Sequence, residues 1–148
     1  NMDLVWQVPY EPGVLLARGK RDGEVVSEKK IVTAGSPAKI QLLADRKSIS
    51  ADGQDVVHIE ISILDKDNHF VPVASSSLAF SVQGEARIIA VDNGDPLSQH
   101  RFNGSSIKAF NGKALVIIQS TRKEGEFTFH AVSDGLAEAR VQGTVRAD

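Results

Sequence analysis

The sequence predicts an all-β protein whose short antiparallel strands pack as a sandwich. Three observations carry that prediction. Apolar and polar residues alternate with period two over most of the chain, as in strands with one buried face. Six pairs that accept positive φ punctuate those runs: Asp22-Gly23, Asp52-Gly53, Asn93-Gly94, Asn103-Gly104, Asn111-Gly112 and Asp134-Gly135. No stretch of about 11 residues follows the 3.6-residue period of a helix.

In chain order, the first strand-like runs are residues 4–8, 14–20 and 24–33, joined by Pro9-Tyr10-Glu11-Pro12-Gly13 and Arg21-Asp22-Gly23. A boundary follows at Gly35-Ser36-Pro37, because Pro37 cannot donate to a ladder and Ser-Pro favours an extended turn. Beyond it, Val57, Ile59, Ile61 and Ile63 share one face of a strand, and His58, Glu60 and Ser62 the other. Leu78, Phe80 and Val82 alternate with Ala79 and Ser81. Ala114, Val116 and Ile118 share a strand with Leu115 and Ile117; with both faces apolar, it should be central or covered on both sides. Phe127, Phe129 and Ala131 alternate with Thr128 and His130, and Ala137, Ala139, Val141 and Val145 with Glu138, Arg140, Gln142 and Thr144.

The 148 residues therefore divide into 1–35 and 36–148. The second part matches a seven-stranded immunoglobulin-like sandwich of about 100 residues. The first is too small for a core of its own, since chains below about 40 residues usually need metals or disulfides. It reads as the last three strands of a truncated immunoglobulin-like domain, with Leu4, Trp6 and Val8 on a face that wants a facing sheet, so the chain reads as a piece cut inside an upstream β domain. Its apolar face and unpaired edge predict packing on the second domain or self-association through residues 4–33.

Composition excludes several classes of function. Lys+Arg is 17 against 19 Asp+Glu, so the basic excess of a nucleic-acid binder is missing. The absence of cysteine removes disulfides, thiolate zinc sites and cysteine nucleophiles. His58, His69, His100 and His130 are too scattered for a zinc clip. No run of about 18 apolar residues offers a membrane-spanning helix.

Several motifs in sequence order resemble a known family. Trp6-Gln7-Val8-Pro9-Tyr10-Glu11-Pro12-Gly13, followed by an apolar strand and the Lys20-Arg21-Asp22-Gly23 hairpin, looks like the end of an immunoglobulin-like domain of family 2 glycoside hydrolases. Thr33-Ala34-Gly35-Ser36-Pro37 resembles the junction to the next domain. Asp45-Arg46, Ile49-Ser50-Ala51-Asp52-Gly53-Gln54-Asp55, Asp65-Lys66-Asp67-Asn68 with Val71-Pro72, Val91-Asp92-Asn93-Gly94-Asp95-Pro96 and Lys108-Ala109-Phe110-Asn111-Gly112 resemble the C-terminal domain of bacterial β-galactosidases. Glu85-Ala86 departs from a turn that is often glycine-rich in the family, and Ala90 from a position where glycine is common.

The resemblance implies a parent enzyme that hydrolyses terminal β-D-galactosyl residues with retention, using two glutamates on a TIM barrel. Such a barrel takes about 250 residues of alternating strand and helix, so neither glutamate is expected here. The chain should be a non-catalytic accessory piece, with no cofactor and no metal, whose partner is the upstream catalytic part of the same polypeptide, in the periplasm or outside a bacterium. The second part, through Ser120-Thr121, Gly125, Ala131, Ser133 and Gly135-Leu136, also resembles bacterial immunoglobulin-like adhesion domains, so an adhesion or carbohydrate-binding module is the alternative.

The candidate ligand-binding or loop-ordering residues are Asp92, Asn93, Asp95, His100, Trp6 and Tyr10. Asp92-Asn93-Gly94-Asp95-Pro96 reads first as a turn closed by Asx side chains, and second as an oxygen-rich calcium or sugar site. His100 and Arg101 stand where they could pair with Asp92 or Asp95. Asp65-Lys66-Asp67-Asn68-His69 opens like a calcium-binding loop, but Phe70 replaces the glycine and Ser76 the glutamate that loop requires, so a hairpin turn is expected. Trp6 and Tyr10 are the one Trp and the one Tyr; they read as core of the truncated domain and a proline-packed ring, or as a platform for a glycan. Asn103-Gly104-Ser105 matches the N-glycosylation pattern of a surface loop. Arg18, Lys20, Arg21, Lys29 and Lys30, interleaved with Glu24 and Glu28, read as a solvated face.

Overall fold

The structure, a computed structural model, describes residues 5–147. Strands are the only regular element among them, and two compact units separate between Thr33 and Ala34.

The first unit is a hairpin of β1 (Val14–Arg21) and β2 (Glu24–Val32). Asp22 and Gly23 take φ of 51° and 87°, the conformation a two-residue turn needs to match strand twist. The strands are antiparallel, with Val14 opposite Val32 and Arg21 opposite Glu24. Arg18 Nε donates to Glu28 Oε2 at 2.8 Å, so the basic cluster is partly neutralised in place.

Among the described residues, the expected strand over residues 4–8 is not present. Residues 5–10 carry no strand pairing, and Leu4 lies outside the described residues. Alternation marks a strand only where a partner edge exists, and the adjoining Pro9 and Pro12 each remove a backbone donor.

The second unit is an immunoglobulin-like sandwich. Its strands are β3 (Lys39–Ala44), β4 (Ser48–Ser50), β5 (Val56–Leu64), β6 (Ser77–Gly84), β7 (Ala86–Asp92), β8 (Ser106–Lys108), β9 (Lys113–Ser120), β10 (Gly125–Val132) and β11 (Ala139–Arg146). They form a four-stranded sheet, β3-β5-β9-β7, facing a five-stranded sheet, β4-β11-β10-β6-β8. Pairing is antiparallel except for β4 on β11. The sandwich thus has nine strands where seven were expected, because β4 and β8 are three-residue edge strands. The apolar strand β9 lies between β5 and β7, as its two apolar faces require; Leu115 and Ile117 are half-buried.

The core fills the space between the sheets. Val57, Ile59, Ile61 and Ile63 of β5 are fully buried with Val116 and Ile118 of β9. From the other sheet come Leu78, Phe80, Phe127, Phe129, Ala131 and Val145. The Phe80 and Phe129 rings stack with centroids 5.7 Å apart.

Candidate functional site

The most constrained polar cluster lies at the end of β5. Asp65 is 2% exposed and so must be paired. Its Oδ2 accepts the Gly35 N–H at 2.8 Å, and its Oδ1 accepts the N–H groups of Asp67 at 2.9 Å and His69 at 2.8 Å. His69 Nδ1 lies 3.3 Å from Oδ2. The Gly35 donor leads the lowering of the Asp65 pKa to about 2, against the upward push of burial, with the His69 and Asp67 donors adding to it. Lys39 Nζ closes the same turn on the Lys66 carbonyl at 2.7 Å and Asn68 Oδ1 at 2.9 Å. Asp65, Asp67 and His69 bring ligand-type atoms within 4.8 Å of one another. Both Asp65 oxygens already accept backbone donors, which makes this carboxylate a staple between the chain after the first unit and the turn after β5. The sequence pattern marks the turn; nothing local marks the Gly35 donor, 30 residues away.

The loop after β7 gathers Asp92, Asn93 and Asp95. Asp92 Oδ1 accepts the N–H groups of Asn93 at 2.8 Å and Gly94 at 3.3 Å. Asn93 Oδ1 accepts the Asp95 N–H at 3.0 Å, and Asp95 Oδ1 the Leu97 N–H at 2.9 Å. Asn93 Nδ2 donates to the Lys108 carbonyl at 2.9 Å, tying the loop to β8. These are successive Asx turns, which hold the loop by local backbone capture. His100 and Arg101 are exposed, and among the described residues neither forms an ion pair with Asp92 or Asp95. The loop is ordered without them, because short Asx side chains reach the nearest backbone donors first.

Trp6 and Tyr10 are 70% and 79% exposed, so neither ring is buried within this chain. They belong to the first unit, and the Asx loop to the second.

Outward-facing polar residues of the four-stranded sheet pair across strands. Lys113 Nζ bonds Glu60 and, at 2.9 Å, Ser62 Oγ, and it lies 5.0 Å from the Phe70 ring centroid. Asp45 accepts the His58 N–H at 3.0 Å and faces His58 Nδ1 at 3.1 Å; burial pushes its pKa up, but the His58 contacts and Arg46 outweigh that and lower it. Asp52 is lowered as well, chiefly by the Asp55 and Gln54 N–H groups. Three carboxyls thus move away from the raised pKa that a general acid needs at neutral pH.

Residues 40–142 match the family described as glycoside hydrolase family 2 C-terminal domain 5. A β-galactosidase of Bacteroides ovatus is 42% identical over 94% of this chain, and a β-galactosidase of Thermoanaerobacter pseudethanolicus is 30% identical over 84%. The matches span 16% and 15% of the lengths of those two relatives. Among solved structures, a glycosyl hydrolase family 2 member of Bacteroides cellulosilyticus superposes with a TM-score of 0.90 at 34% identity, covering 97% of this chain and 18% of its own.

Proposed function

The chain belongs to the glycoside hydrolase family 2 C-terminal domain 5 family, and from that membership we propose that it serves as the non-catalytic accessory part of a larger β-galactosidase. The observation that carries this reading is the match to a β-galactosidase about six times longer, at 42% identity along nearly all of this chain. In the parent, a separate barrel supplies the acid/base and nucleophilic carboxylates of a retaining mechanism, removing terminal β-D-galactosyl residues. The all-strand architecture supports that division of labour, since a (β/α) barrel alternates strands with helices.

Within the parent, the hairpin β1–β2 and the residues before it complete the immunoglobulin-like domain that precedes the sandwich. Val5, Trp6, Val8, Val25, Val26 and Ile31 are each more than half exposed in this chain, and packing on an upstream sheet would bury one face of the hairpin, the cover that a lone two-stranded ribbon lacks. In the isolated chain the same side chains favour self-association.

A chromogenic β-galactoside assay tests the reading. The 148-residue chain should give no turnover, whereas the full-length gene product should release β-configured galactose first, as seen by proton NMR. Turnover by the repurified chain would refute the accessory role, and an α-configured first product would refute retention.

A further inference from the structure

The outer face of the five-stranded sheet carries a groove of about 330 Å³, at the lower end of the size range of small-ligand sites. It lies where β4, β11 and β10 run side by side, lined by Lys47, Ser48, Glu126, Gln142, Thr144 and Arg146. We propose that this groove binds a saccharide bearing a carboxylate, that is, a hexuronate-containing glycan.

Register builds the site. Thr144 stands opposite Ser48 on β4 and opposite Glu126 on β10, so three oxygen-bearing side chains form one row across adjacent strands. Ser48 Oγ and Thr144 Oγ1 lie 3.3 Å apart, and Gln142 Nε2 lies 3.4 Å from Thr128 Oγ1 in the next row. Arg146 follows Thr144 by two residues and shares its face. Lys47 precedes β4, and its carbonyl accepts the Thr144 N–H at 2.8 Å. Gly143 permits that approach: a Cβ there would sit 2.7 Å from the Lys47 oxygen and 2.3 Å from Phe127 Cζ. The groove is therefore carried by paired strands over a packed core, where side chains are better positioned than on a loop.

Charge selects the ligand. The lining holds two cations and one carboxylate in a protein of net charge −2. Among the described residues, none of Lys47, Glu126 and Arg146 forms an ion pair. Arg146 presents a planar fork that suits a carboxylate, and Lys47 adds a point charge. Glu126 repels a compact dianion such as phosphate but accepts hydrogen bonds from hydroxyls. Ser48, Thr144 and Gln142 donate and accept at neutral polar groups. A ligand with a carboxylate at one end and hydroxyls at the other satisfies both signs at once. The choice of a saccharide over other hydroxylated carboxylates rests on the proposed place in a glycoside hydrolase.

The test is an ¹⁵N-HSQC titration of the 148-residue chain with galacturonosyl-galactose, which carries a single carboxylate, with neutral galactobiose and with inorganic phosphate. Galacturonosyl-galactose should shift the Ser48, Gln142 and Thr144 amides saturably, and galactobiose should bind about tenfold more weakly, as expected for loss of a charge-assisted contact. The double variant Lys47→Ala/Arg146→Ala should lose about tenfold in galacturonosyl-galactose affinity while the Ile61 and Phe129 resonances stay in place. Glu126→Gln should improve phosphate binding. The proposal falls if these amides do not shift, if galactobiose or phosphate binds as well as galacturonosyl-galactose, if the double variant binds unchanged, or if Glu126→Gln leaves phosphate binding unchanged. β-Galactosidase activity of the full-length gene product, measured in parallel, separates the two readings. An active enzyme with a silent groove overturns the groove alone; an inactive enzyme with a responsive groove overturns the parent assignment alone.

Discussion

Asp65 holds three backbone N–H groups with one buried carboxylate, so its ionisation is coupled to folding. Its folded pKa of about 2 lies below the ordinary 3.8, so the stabilisation is complete above pH 3.8 and is lost as pH falls through about 2. Asp65→Asn keeps one acceptor oxygen and loses the other. It should lower the melting temperature at pH 7, and the gap between variant and parent should narrow as pH drops from about 4 to about 2, as followed by thermal denaturation across a pH series. Gly143 is constrained by space instead. Gly143→Ala drives a Cβ into the Phe127 ring, and overpacking of this kind costs about 1–3 kcal/mol, read from the urea midpoint. Neither role is written in the local sequence. Asp65 is visibly a turn residue, and Gly143 an ordinary strand glycine, until the Gly35 donor and the Phe127 ring are placed beside them.

At the level of the strand, legibility followed the purity of the alternation. β5, β6, β9, β10 and β11 each present an unbroken inner face, and their positions can be read from period two. β7 escapes because a bulge between Ile88 and Ala90 shifts its phase, so that Ala86 and Val91, five residues apart, are both buried. β3 is masked by Leu43, an apolar residue that stands 64% exposed on the outer face. β4 and β8 are too short to show any period. The two faces of the four-stranded sheet should respond very differently to truncation. Ile61→Ala should cost about 2–5 kcal/mol, the range for emptying a packed core site. Leu43→Ala should stay within about 0.5 kcal/mol, and paired urea titrations would measure both. The Asn111-Gly112 turn, with φ of 49° and 74°, was readable for the opposite reason: its conformation is dictated by the two residues that make it.

For the whole molecule, the two units differ in what stabilises them. The sandwich owns a continuous buried core, whereas every residue of β1 is exposed and β2 buries none. A lone two-stranded hairpin is marginal in water. Amides of β1 and β2 should therefore exchange with solvent well before those of β5, β9 and β10, and residues 34–148 expressed alone should melt at the temperature of the full chain. Equal protection throughout, or a lower melting point on truncation, would contradict this. Strand character, turn positions and the Asx loop at Asp92–Asp95 were readable along the chain, because each depends on a side chain and its nearest backbone neighbours. Sheet order, the parallel seat of β4 on β11, the failure of residues 5–8 to pair, and the groove that brings Ser48 beside Thr144 were settled by folding. Each depends on partners far apart in sequence, and period two records which way a residue faces but never which strand it will meet.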